Sequence, residues 1–228
     1  MSLPEQRPGV ISSLDDLPRV LEVVEQRSSS GIALLIVGLD PRLNGDNIRN
    51  PLIWTITERQ DKPDTEKRAG DLSVPAETRK IGEDRLSNVL GALAEFCGDN
   101  DLPYVREHLF LLNGVFRERG INVRGIQVDM SVLVYNGLID FQFNPLNSTE
   151  VAPNRWIHRD EIPGMGNVRS VLRQAIEIDR QEGLSSRVLD TYHEHPELLK
   201  PAFPVELRSM GDFYARREII GDIPLATG

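Results

Sequence analysis

The sequence predicts an α+β protein, a mixed β-sheet sandwiched by helices, and three features carry that prediction. Gly31–Gly38 is a short apolar run bounded by glycines, the pattern of a strand buried on both faces. Leu86, Val89, Leu90, Leu93 and Cys97 recur at helical spacing and give one core face. A second amphipathic helix follows the later strands, so helices lie between and behind strands, as in a layered α/β/α sandwich.

Residues 1–29 read as an arm followed by a helix over Leu17–Arg27, with Asp16 as N-cap and Leu17, Val20, Leu21 and Val24 on one side. Ser28 to Gly31 ends that helix. After the first strand, Pro51–Glu58 alternates as a second, and Arg59–Ala69 is a charged loop. A short strand at Asp71–Val74, a polar loop from Pro75 to about Gly82 and a helix to about Cys97 come next. His108–Phe116 and Val123–Tyr135 read as strands. Asn136-Gly137 is a hairpin signal, with Ile139–Phe143 as the returning strand. Val168, Val171, Leu172, Ala175 and Ile176 mark a helix over Asn167–Arg180, and the tail holds one short helix at Ser185–Tyr192. The expected division is an arm at 1–29, a domain at 30–182 and a C-terminal extension at 183–228.

Composition narrows the function classes. A chain of 228 residues with 39% hydrophobic and 27% charged side chains is ordinary for a soluble globular protein. The longest apolar run, Ile32–Val37, is too short to span a bilayer, and no basic-then-apolar leader begins the chain. A single cysteine, Cys97, excludes an intramolecular disulfide framework and suits the cytoplasm. The net charge of −9 disfavours nucleic acid as partner, since phosphate backbones are held by clustered Lys and Arg. A small phosphorylated molecule remains compatible, because carboxylates can reach it through a bridging Mg2+ or Mn2+. A homodimer is left open.

The strand-loop-helix from Gly70 to Gly98 resembles the signature box of the Nudix hydrolase superfamily, which sets carboxylates around magnesium at a diphosphate. In that alignment Glu83 matches the early glutamate, Leu93 the apolar position, Glu95 the first of a glutamate pair and Gly98 the closing glycine. Arg68-Ala-Gly-Asp-Leu-Ser-Val-Pro75 is similar to the lead-in of the coenzyme A pyrophosphatase branch. Glu150–Trp156 with Asp160-Glu161-Ile162 resembles the segment that closes many sheets of the family. The similar segments run from about Ile53 to Arg180. The resemblance implies a Nudix-type α/β/α sandwich and either hydrolysis of a nucleotide-derived diphosphate or, as the alternative, a binding or regulatory module without metal-dependent hydrolysis.

Four box positions depart from the pattern. Glu77 stands for the leading glycine, Gly91 for the arginine that in the family holds the early glutamate, and Ala92 and Phe96 for two glutamates that usually ligate metal. Ala92 and Phe96 lie four residues apart and share a helix face. In the family frame that face looks into an open cleft, so glutamates restored there should be tolerated. Magnesium wants hard oxygen ligands, and neither residue offers one.

The candidate site residues each carry two readings. Glu95 is a residual metal ligand or general base, or else a solvated helix residue. Glu83 belongs to an acidic site or caps the helix where its dipole favours negative charge. Glu77 is a relocated ligand or a loop residue. Together Glu77, Glu83 and Glu95, with Asp84, could rebuild a metal site. Arg59 and Arg68, with Lys62 and Lys67, would meet ligand phosphates or simply face solvent. Trp156 stacks on a base or packs under the sheet edge. His193-Glu194-His195 has the look of a metal pair but lacks a partner cluster. Cys97 reads as a small buried hydrophobe.

Overall fold

The computed structural model describes residues 31–39, 50–62, 67–80, 83–123, 125–146 and 148–221, and within these all side chains except those of 113, 114, 116, 118, 119 and 218–221. The helix expected at Leu17–Arg27 lies outside the described residues.

Strand β1 (Gly31–Gly38) is buried along its whole length. It pairs in parallel with β6 (Ile126–Tyr135), from Gly31 opposite Val128 to Gly38 opposite Tyr135. Its other neighbour, β2 (Leu52–Thr57), is antiparallel, as are the remaining ladders. Beyond β2 lies β3 (Leu72–Ser73); beyond β6 lie β5 (Leu109–Val123) and β8 (Leu199–Pro201). The short β4 (Ala76–Thr78) pairs with β1, and β7 (Arg155–His158) pairs with β2, which completes an eight-stranded mixed sheet.

The apolar continuity of β1 has a direct cause. Alternate side chains point to opposite faces, and each face has its own core. Ile32, Leu34 and Ile36 pack with α1 (Arg85–Ala94), α2 (Leu102–His108) and the start of α5 (Met210–Gly221). Ala33, Leu35 and Val37 pack with α3 (Ser170–Glu182) and α4 (Leu184–Glu194). The architecture is therefore α+β, with helices on both faces of a mixed sheet. No helix among the described residues is long and apolar enough to cross a membrane.

Several expectations are corrected. His108 closes α2 rather than opening a strand, and Pro103 near the helix start provides the preset φ for that turn. The real hairpin joins β5 to β6, where Val123 faces Ile126 and Gly125 adopts φ +84°. Asn136-Gly137 makes no hairpin, and Ile139–Phe143 is not a strand. Asn136 is instead tied to the His108 ring and donates to the Tyr192 hydroxyl. Gly137 leaves room for the Tyr135 ring, which a Cβ there would meet at 2.6 Å. The tail contains β8 and α5, which sequence periodicity did not show. The polar loop after Pro75 includes β4, whose Glu77 carbonyl lies so close to Gly31 that a Cβ would stand 2.5 Å away.

Helix α1 starts at Asp84, whose carboxylate accepts from the Ser87 amide at 2.7 Å. Val89, Leu90 and Leu93 face the core as the spacing predicts, but Leu86, in the first turn, is 43% exposed. Periodicity fixes the face of a helix, not how far its end overhangs the core. Leu93 is fully buried; Leu93→Ala should cost about 2–5 kcal/mol in chemical denaturation, and a loss below that range would mean the site collapses around the gap.

Candidate functional site

The two ends of α1 and the strand before it bring the predicted carboxylates to one side of the sheet. Glu83 sits just ahead of the N-cap and accepts from the Lys80 amide at 2.9 Å. Its main partner comes from the far end of the chain. The Arg217 guanidinium, on α5, donates to Glu83 at 2.6 Å through Nε and at 3.1 Å through a terminal nitrogen. The same nitrogen reaches the Thr78 carbonyl at 2.6 Å, and the other lies 3.6 Å from Glu77. Arg217 is 4% exposed. Such a buried fork, holding two carboxylates and a carbonyl, is a strong use of a guanidinium.

Gly91 explains how Arg217 gets in. A Cβ at Gly91 would stand 2.5 Å from Arg217 Nε and 2.7 Å from its Cζ. The absent side chain is the space the guanidinium occupies. In the alignment above, position 91 is where an arginine should hold Glu83; here an arginine does hold Glu83, from 217 instead.

Glu95 caps the C-terminal end of α1 and is 8% exposed. Burial raises its carboxyl to about 7, and Glu77 pushes in the same direction; Lys67 opposes, while Glu150 and Glu58 add smaller repulsions. No hydrogen bond to its carboxyl is found among the described residues. Glu58, 2% exposed, is itself held by Arg169 at 3.0 Å and Lys67 at 3.7 Å. Glu150 pairs with Lys62. Glu58, Glu150, Arg169 and Arg217 were not singled out from sequence. An acidic residue closing a strand, as Glu58 does after Thr57, was the available signal for one of them.

The expected open face of α1 is corrected. Ala92 is fully buried and Phe96 is 3% exposed, both within the core that α1 shares with β1. That apolar face packs on the sheet. The residues present do not fit a hard divalent cation. Glu77 and Glu83 are held by Arg217, Glu58 by Arg169, and among the described residues no three His, Cys, Asp or Glu side chains are placed to hold a metal ion.

The remaining candidates disperse. Arg59 is exposed and donates to the Ser148 carbonyl at 2.6 Å, pinning its loop; Arg68 is exposed. Trp156 is half-buried and lies over Gly38, where a Cβ would meet its ring at 2.6 Å. It stacks on Tyr135 with centroids 5.1 Å apart and sits 5.9 Å from Trp54, so the structure places it in an aromatic pile on the sheet. His195 stands 3.3 Å from Glu197, both well exposed. Cys97 is buried, and burial pushes its thiol well up, with Asp101 adding to the effect.

Sequence comparison matches no family model and no curated protein. Solved structures do match. A Nudix hydrolase from M. smegmatis, RenU, aligns at 13% identity and a TM-score of 0.48, over 68% of this chain and 86% of that one. A C. elegans Ap4A hydrolase aligns at 14% and 0.43, over 67% and 98%. The NUDIX domain of Shewanella oneidensis NrtR, solved with ADP ribose, aligns at 15% and 0.39, over 67% and 86%. The chain is similar in fold to Nudix hydrolases. At these identities and TM-scores the likeness bears on fold alone.

Proposed function

We propose that this chain uses a Nudix-like scaffold to bind a small phosphorylated, nucleotide-derived molecule without metal-dependent hydrolysis. One observation carries the reading: the helix face that would need acidic ligands, at Ala92 and Phe96, is core. The nearby Glu77 and Glu83 are already compensated by an arginine. The ligand class follows from the resemblance of the Gly70–Gly98 segment. The exposed Arg68 is a place where phosphate could meet the protein.

Glu95 favours a second reading. A buried carboxyl raised to about 7 has the proton affinity of a general base or acid near neutrality. In that case the protein is a hydrolase-like enzyme with a non-standard site. A panel of nucleotide-linked diphosphates, assayed for binding and for turnover with and without Mg2+ or Mn2+, separates the two. Binding that is indifferent to metal and shows no turnover is expected. Turnover that disappears in Glu95→Gln would establish the enzyme instead.

A further inference from the structure

We propose that Gln174 guards the outer edge of the sheet: its side-chain amide takes the main-chain N–H and C=O of Asn122 that an added strand would use, and so keeps β5 of one copy of this chain from pairing with β5 of another. On this side the sheet ends in β5, which β8 covers only from Phe110 to Leu112. Among the described residues no strand lies beside residues 113–123 on that side. An edge of that length is a template for strand addition. The same edge on a second copy, turned about a two-fold axis, offers an antiparallel match of identical residues, so a second copy is the partner it fits.

Helix α3 runs along this edge. Gln174, Ile178 and Glu182 recur every four residues and share one stripe of the helix. The stripe meets β5 at three points. Glu182 lies 3.1 Å from Arg117 Nε. Ile178 sits against Gly120, where a Cβ would come within 3.3 Å of its Cδ1. The Gln174 contact differs in kind. Asn122 faces Gln127 of β6 on one side. On the other, its N–H donates to Gln174 Oε1 at 2.9 Å and its C=O accepts from Gln174 Nε2 at 2.8 Å. One acceptor and one donor in a planar amide copy the peptide group of a neighbouring strand. Register shifts between Leu111 and Phe116 and between Arg117 and Ile121 already break the regularity of the rest of the edge. The regular stretch beside the hairpin, residues 121–123, is the part best shaped to take a strand, and it is the part Gln174 closes.

The test compares the full chain with Gln174→Ala, and with Gln174→Ala plus Asn122→Pro, by sedimentation velocity over one concentration series. Alanine suits a helix interior and removes the amide. Gln174→Ala should self-associate about tenfold more tightly than the parent, because two hydrogen bonds no longer compete with the incoming strand. Proline has no N–H to give a partner and is tolerated on a sheet edge, so the double variant should return to the parent's behaviour. Gln174→Ala that sediments as the parent does at every concentration overturns the guard. So does a double variant that associates as strongly as the single one, since the contact then lies elsewhere. Should Gln174→Ala fail to fold, Gln174→Glu decides by the same comparison, because its carboxylate accepts from Asn122 but cannot donate. Amide exchange at Asn122 reads the contact directly: fast in the dilute variant and slow again once it associates. An Asn122 amide that stays fast in the associated species overturns the proposal.

Discussion

Ala92→Glu combined with Phe96→Glu should abolish the folded state. The pair restores carboxylates where the resemblance has them, yet both positions are core. Removing the Phe96 ring alone should cost about 3–5 kcal/mol. Each new carboxylate would be buried without a counter-ion, at several kcal/mol apiece, or would have to take up a proton. Together these are comparable to the roughly 5–15 kcal/mol that a native domain holds in reserve. Circular dichroism and a one-dimensional NMR spectrum suffice as readout. A dispersed spectrum with near-parental melting would mean that this helix face opens into the cleft after all.

Glu95→Gln should do the reverse and stabilise the protein at alkaline pH. The Glu95 carboxyl has its folded pKa raised from 4.5 to about 7. Between those values the folded state binds more protons than the unfolded one, so stability falls as pH rises through that window. Below 4.5 the group is protonated in both states and contributes no difference; above about 7 the penalty is complete. At about 1.4 kcal/mol per pKa unit, the full penalty is on the order of 3 kcal/mol. Glutamine does not titrate, so the variant should gain that amount at high pH and converge with the parent in acid. Urea midpoints across the range test this, and parallel curves for the two proteins would show that Glu95 keeps its charge in the fold.

What was legible in the sequence follows from which signals are local. Gly31–Gly38 declared itself because a strand covered on both faces has no reason to alternate. Leu93 and Val89 announced their face through spacing alone. Asn136-Gly137 misled because the same dipeptide that favours a hairpin also gives room to a neighbouring ring, and here Tyr135 uses the room. Gly91 read as the loss of an arginine. Its meaning depends on Arg217, more than a hundred residues later, and no local pattern connects the two. Glu83 and Glu95 were found in the sequence, but Glu95's burial and Glu83's partner are tertiary facts. The apolar residues Ala92 and Phe96 were visible; whether they lined a cleft or filled a core was not, since composition is silent on what lies opposite.

The parallel pairing of β1 with β6 also has a consequence for how the chain is made. Gly31 must wait for Val128 before the centre of the sheet can close, and closing so long a loop is entropically slow. Synthesis delivers the N-terminal side first. Glu58, Glu77, Glu83 and Glu95 therefore all leave the ribosome before the strand that anchors their support. Arg217 emerges later still. A nascent chain halted between the end of β6 and the start of α5 would own a complete central pair and a Glu83 still without its guanidinium. The last stretch to be translated is the one that makes the middle of the molecule electrically comfortable.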